Sequence, residues 1–187
     1  MGKLIFTATV SIDGYAADAD GDFQWSAPDG AVFDAHVDRM GEVSTEVLGR
    51  KTFALMQYWE TDPEGETWTP AEQEFARRWR AIDKVVASST LTHDDIGSDR
   101  IRLVPDLDLA ELQRIVDTAP GMVEIFGPTV AAAAIRAGLI EEFHFFVVPK
   151  VVGGGLRALP DDVRLDLILA DQTIFDNGTA YLRYVPR

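Results

Sequence analysis

The sequence predicts an α/β domain built on a mostly parallel central sheet, with helices on both faces and an antiparallel hairpin at its C-terminal end. Three observations predict it. Short runs of β-branched and apolar residues alternate with stretches of helical periodicity between Lys3 and Val148. Several of those apolar runs end in polar or glycine-containing turns that lead into a helix or loop. The last two apolar runs flank Asp176-Asn177-Gly178, and Asn-Gly between such runs marks a hairpin. No linker-like composition shift or internal repeat interrupts the pattern, so residues 1–187 are read as one domain.

In order, Lys3–Ile12 reads as a strand whose near-continuous apolar character suggests burial on both faces. Asp13-Gly14 turns the chain, and Tyr15–Ala17 continues it briefly. Trp25 to Asp29 looks like a helix start, with Ser26 or Asp29 as cap and Pro28 in the first turn. That helix runs to Met40 on a stripe of Val32, Phe33, Val37 and Met40. Strand Val43–Leu48 follows, then a short helix from Thr52 to Met56 and a surface loop from Tyr58 to Thr69. Pro70 opens a helix over Ala71–Arg80, and strand Asp83–Ala87 leads to a polar loop, His93–Asp99. Ile101–Val104 and Met122–Phe126 read as short strands around a helix at Leu109–Asp117. A small-residue helix, Val130–Ala137, stops at Gly138. Strand Ile140–Val148 enters a glycine-rich loop, Val151–Gly155, and strands Leu165–Phe175 and Thr179–Val185 close the chain.

Composition narrows the function. Hydrophobic residues make up 47%, enough for a sizeable core. A net charge of −14 repels nucleic acid and anionic membrane, so a small anion could bind only in a local basic pocket. The absence of cysteine excludes disulfides, thiolate metal sites and a Cys nucleophile. His36, His93 and His144 are scattered, and no His/Asp/Glu spacing suggests a metal. His144 alternates with Phe143 and Phe145 and reads as structural. The apolar runs are too short to span a bilayer, and the N-terminus lacks signal-peptide features, so a soluble cytoplasmic protein is expected.

In an open parallel sheet, ligands collect at the carboxyl ends of the strands. Here three such ends carry Gly49-Arg50-Lys51-Thr52, Ser88-Ser89-Thr90 and Gly127-Pro128-Thr129. Together they offer cations, hydroxyls and helix N–H groups to phosphates. Neither Gly-x-Gly-x-x-Gly nor Gly-x-x-x-x-Gly-Lys-Ser/Thr occurs, which disfavours a Rossmann domain or a P-loop.

An ordered set of segments then resembles the dihydrofolate reductase-like superfamily, and within it the RibD C-terminal-domain family, the reductase module of riboflavin biosynthesis. The segments are Ser11–Ala17, Leu48–Phe53, Val85–Leu91, Glu124–Pro128, Gly138–Glu142 and Pro149–Gly155. The resemblance implies an NADPH-dependent reductase acting on a small heterocyclic or sugar-derived molecule, such as 5-amino-6-(5-phosphoribosylamino)uracil, and commonly a homodimer. It places Gly49, Arg50, Lys51 and Thr52 at the cofactor's phosphates and Ser88, Ser89 and Thr90 at the adenosine 2′-phosphate. It places Gly127, Pro128, Thr129 and Val130 at the pyrophosphate, and Ala8 with Asp13-Gly14 near the nicotinamide. Asp13 and Trp25 are candidates to touch substrate, and Asp29 and Asp34 to supply a proton. Two departures stand out: Pro128 replaces the family's second glycine, and Gly30 occupies the position of the dihydrofolate reductase acid. An alternative is a nucleotide-binding or oligomeric module of the same fold without turnover. Strand Phe143–Val148 is a candidate dimer surface, with core burial as the competing reading.

Overall fold

The computed structural model describes residues 2–65 and 67–187. In chain order its elements are β1 (Leu4–Ser11), β2 (Tyr15–Ala17), α1 (Gly30–Met40), β3 (Val43–Gly49), α2 (Arg50–Met56), α3 (Pro70–Ala81) and β4 (Asp83–Ala87). Then come β5 (Ile101–Val104), α4 (Leu109–Thr118), β6 (Met122–Phe126), α5 (Pro128–Arg136), β7 (Glu142–Val148), β8 (Leu156–Arg157), β9 (Leu167–Ile174) and β10 (Ala180–Pro186). The α/β class with parallel strands and a C-terminal antiparallel hairpin is the one the sequence predicts. The chain divides into two compact units, and the division falls within β6. One comprises Gly30–Glu124 with the N-terminal residues up to Lys3, and the other Leu4–Asp29 with Ile125–Arg187.

In the first unit β3, β4 and β5 run parallel, with Val47 beside Val85, Gly49 beside Ala87, and Ala87 beside Val104. Val47, Leu48 and Val86 are fully buried, which explains the apolar character of these strands. Helix α3 starts on a capping box between Thr69 and Glu72 with Pro70 in its first turn, and buries Phe75, Ala76 and Trp79. It packs on α1 through Phe33 and Phe75, whose rings lie 5.7 Å apart. The segment read as a surface loop is held down by its aromatics. Trp68 is buried, donates to the Tyr58 hydroxyl at 2.8 Å, and lies 5.4 Å from the Trp59 ring. Glu66 of that loop lies outside the described residues.

The same unit buries charge. Glu46, Glu124 and Lys84 are each at most 1% exposed. Arg39 of α1 donates to Glu124 at 2.5 Å, and Lys84 meets Glu60 at 3.2 Å while lying over the Trp79 ring. Glu46 hydrogen-bonds to Glu124. Burial, then the charge of Glu124, holds the Glu46 carboxyl well above its ordinary value of 4.5, against the pull of Arg39. Glu46 is therefore the partner that carries the proton.

The second unit pairs β1 with β7 in parallel, from Ile5 beside Glu142 to Ser11 beside Val148. Strand β10 pairs antiparallel with β7, and β9 with β10. Phe143 and Phe146 are 1% exposed and belong to the core, whereas Phe145 and Val147 of the same strand are half-buried. Its flanking strands cover both of its edges. His144 is structural, as its pattern suggests: its ring nitrogens meet Glu142 at 2.9 Å and the Tyr181 hydroxyl at 3.1 Å. The two-residue strand β8, absent from the sequence reading, pairs with β2.

The buried carboxyl pair predicts an asymmetry between two like residues. A raised folded-state pKa means that Glu46 contributes fully below its ordinary value and that this contribution is lost as pH rises through the folded value. Glu46→Gln removes that loss, so thermal unfolding should show the variant gaining on the parent protein as pH rises above about 4.5. Glu124→Gln removes the buried carboxylate that meets Arg39 and should cost about 3–5 kcal/mol.

Candidate cofactor and substrate site

The first unit brings two of the predicted turns together. Because Gly49 lies beside Ala87 in the β3–β4 ladder, Arg50-Lys51-Thr52 and Ser88-Ser89-Thr90 leave the sheet side by side. Gly49 is extended and α2 starts directly at Arg50, two residues before the predicted start. With seven residues α2 has little dipole to offer, so full charges must do most of the attraction. Arg50 and Lys51 are exposed. Among the described residues neither has an ion-pair partner, whereas Arg77, Arg78, Arg80, Arg100, Arg102 and Arg114 of this unit are each paired to a carboxylate. Ser88 is buried, and its hydroxyl accepts the N–H groups of Thr90 and Leu91 at 3.2 and 3.1 Å. It shapes the turn, and Ser89 and Thr90 are the exposed members. Asp34 lies exposed on α1.

A hollow of about 450 Å³ lies at the opposite ends of these strands, lined by Asp83, Lys84, Arg100, Arg102, Glu111 and Arg114. Its arginines already have carboxylate partners: Arg100 meets Asp83 at 3.0 Å, and Arg102 and Arg114 share Glu111 at 2.9 and 2.5 Å. The unpaired charge is at the carboxyl ends.

The second unit carries the other candidates. Gly127 caps α5 at φ 120°, a conformation that favours glycine, and Pro128 takes the first helical position. Helix α5 starts two residues before the predicted Val130. Pro128 has no N–H, so the donors at this end are Thr129 and Val130. Ala8 is buried within β1 beside Phe145. Gly14 has φ 87°, donates to Ser11 O at 2.9 Å and accepts from Ala158 N–H at 3.1 Å.

The acids and Trp25 are tied into loops. Asp13 accepts N–H groups from Val152 at 3.2 Å and Gly153 at 2.7 Å. A hydrogen bond from Ser11, with these two, holds its carboxyl below the ordinary range. Trp25 donates to Asp22 O at 2.9 Å. Ser26 donates to Phe23 O within a short 3₁₀ turn, and Asp29 accepts from Asn177 of the β9–β10 hairpin at 3.0 Å. Helix α1 starts at Gly30, directly after Asp29, so Ser26 is not its cap and Pro28 lies ahead of its first turn. The sequence carries no signal for the Asp29–Asn177 contact, because Asn177 reads only as a turn residue. Among the described residues, no cluster of three or more His, Asp or Glu is placed to hold a metal ion, and no helix is long and apolar enough to cross a membrane.

Residues 2–181 match the RibD C-terminal domain family. The chain belongs to that family. It is 25% identical over 186 residues to the uncharacterized protein YyaP of Bacillus subtilis (strain 168), covering 97% of this chain and 94% of that one. Among solved structures, a Shewanella sp. PV-4 protein assigned to riboflavin biosynthesis superposes with a TM-score of 0.77 at 21% identity, covering 99% of both chains. Dihydrofolate reductase from Enterococcus faecalis, in complex with NADP(H), superposes at 0.63 and 16% identity, covering 100% of this chain and 97% of that one. At these identities the structural likeness establishes the dihydrofolate reductase-like fold.

The glycine cap offers a direct test. Gly127→Ala forces a Cβ into a left-handed backbone and should cost about 1–3 kcal/mol in denaturant unfolding.

Proposed function

We propose that the protein is an NADPH-dependent reductase that transfers a hydride to a C=N or C=O bond of a small heterocyclic or sugar-derived molecule. The observation that carries this reading is the exposed Arg50-Lys51 pair, without an ion-pair partner among the described residues, in the turn next to that of Ser89 and Thr90. A phosphomonoester such as a ribose 2′-phosphate is met well by a guanidinium, an ammonium and hydroxyls together. Family membership supports the same class of reaction, and the NADP(H) in the dihydrofolate reductase complex supports the cofactor.

In this reading Arg50, Lys51, Ser89 and Thr90 hold the 2′-phosphate. In the second unit, taken by itself, the N–H groups of Thr129 and Val130 offer hydrogen bonds to a phosphate group, with one donor fewer because of Pro128. When bound, the cofactor supplies the hydride. The protein orients it and excludes water. Riboflavin-pathway chemistry makes 5-amino-6-(5-phosphoribosylamino)uracil the first substrate to assay. Binding without turnover is a second reading, favoured because Asp29 is held by Asn177 and Asp34 stands exposed on α1. NADPH oxidation driven by that pyrimidine decides between the two.

Arg50→Ala should weaken NADPH by about tenfold or more and NADH far less, as a lost charge-assisted contact implies. Fluorescence titration of both nucleotides measures this, and equal losses would move Arg50 to the pyrophosphate or to the fold.

We also propose a homodimer formed through β9. This strand is the outer member of β7-β10-β9 and carries Ile168, Leu169 and Ile174 at 44%, 44% and 67% exposure. An apolar edge strand invites pairing with a second copy. Sedimentation velocity should give a dimer for the parent protein and a monomer for Ile174→Lys.

A further inference from the structure

Strands β1 and β7 end level with each other, Ser11 beside Val148. Two segments leave the sheet there: the turn through Ile12, Asp13 and Gly14, and the glycine-rich run from Pro149 to Gly155. A run with three glycines is costly to order, so something must hold it. Among the described residues, backbone bonds hold only its ends. Ile12 N–H reaches Lys150 O at 2.8 Å, and Ala158 N–H reaches Gly14 O at 3.1 Å. Between them the Asp13 carboxylate takes the N–H groups of Val152 and Gly153. Gly155 forms a second anchor: its φ is 129°, and a Cβ there would run into the backbone carbonyl of Ala17.

The clasp has a consequence for the surface. Ile12 and Val151 flank it, and they are 63% and 69% exposed. Large apolar side chains held this far into solvent, at the carboxyl ends of parallel strands and next to Gly14, suit the face of a planar ring.

We propose that Asp13 is a positioning residue: it clasps the glycine-rich segment so that Ile12 and Val151 form an apolar platform for the heterocycle of the substrate. Asp13 thus acts through the loop and not by touching the substrate. The substrate's identity as a heterocycle rests on the reductase reading, but the clasp does not.

The test uses the full chain and Asp13→Ala, Gly155→Ala and Val151→Ser. In cofactor-free protein, amide hydrogen exchange at Val152 and Gly153 should speed up at least tenfold in Asp13→Ala, with the core amides of β1 and β7 unchanged. In NADPH oxidation driven by 5-amino-6-(5-phosphoribosylamino)uracil, all three variants should raise KM for the pyrimidine at least tenfold and leave the NADPH Kd within twofold. Unchanged exchange in Asp13→Ala overturns the clasp. Fast exchange with an unchanged pyrimidine KM, or an equal loss of NADPH affinity, overturns the platform. If the parent protein reduces no such pyrimidine, the reductase reading falls, while the exchange measurement still decides the clasp.

Discussion

The register of β3 against β4 is the constraint on which the candidate phosphate site depends. Parallel pairing aligns the carboxyl ends of the strands, and setting Gly49 beside Ala87 brings two turns level that lie nearly forty residues apart in sequence. A shift of one residue would turn the buried Glu46 to the opposite face, away from Glu124, so the core enforces the register that the site uses. The site is therefore set by buried packing beneath it, while Arg50, Lys51, Ser89 and Thr90 themselves remain exposed.

Charge is distributed in the same spirit. The chain carries −14, and the arginines along α3, β5 and α4 are tied up by neighbouring carboxylates. Beneath them, Arg39, Lys84, Glu60, Glu46 and Glu124 form a buried set that balances only if one acid keeps its proton. On the acid side, half-buried His36, with its Nε2 enclosed, is held neutral, its pKa lowered to about 3 chiefly by loss of solvent and then by Arg39. A lowered pKa makes its contribution one that is present above about 6.5 and lost as pH falls toward about 3. The interior thus favours neutral to mildly acidic conditions, and among the described residues of the first unit the Arg50-Lys51 pair stands out as cationic charge with no ion-pair partner.

Much of this was legible in the sequence. Apolar runs and capping residues located the strands and α3 because both depend on local periodicity. The boundaries of α2 and α5 came out two residues late, since a helix can begin at a charged residue or at Pro128 without a side-chain cap. What the sequence could not show was pairing across long separations. Glu46 reads as one polar residue in a buried strand, and only folding brings Glu124 and Arg39 to it. Asp13 and Asp29 look like chemistry because carboxylates near a ligand edge often are. The structure places them on Val152, Gly153 and Asn177, partners more than a hundred residues away.

The most direct test of the central claim is a titration of isotopically labelled protein with adenosine 2′,5′-bisphosphate, followed by amide chemical shifts. The account predicts saturable shifts at Arg50, Lys51 and Thr52 together with Ser88, Ser89 and Thr90, and much smaller ones with adenosine 5′-monophosphate. Shifts confined to other residues, or equal responses to the two nucleotides, would contradict it.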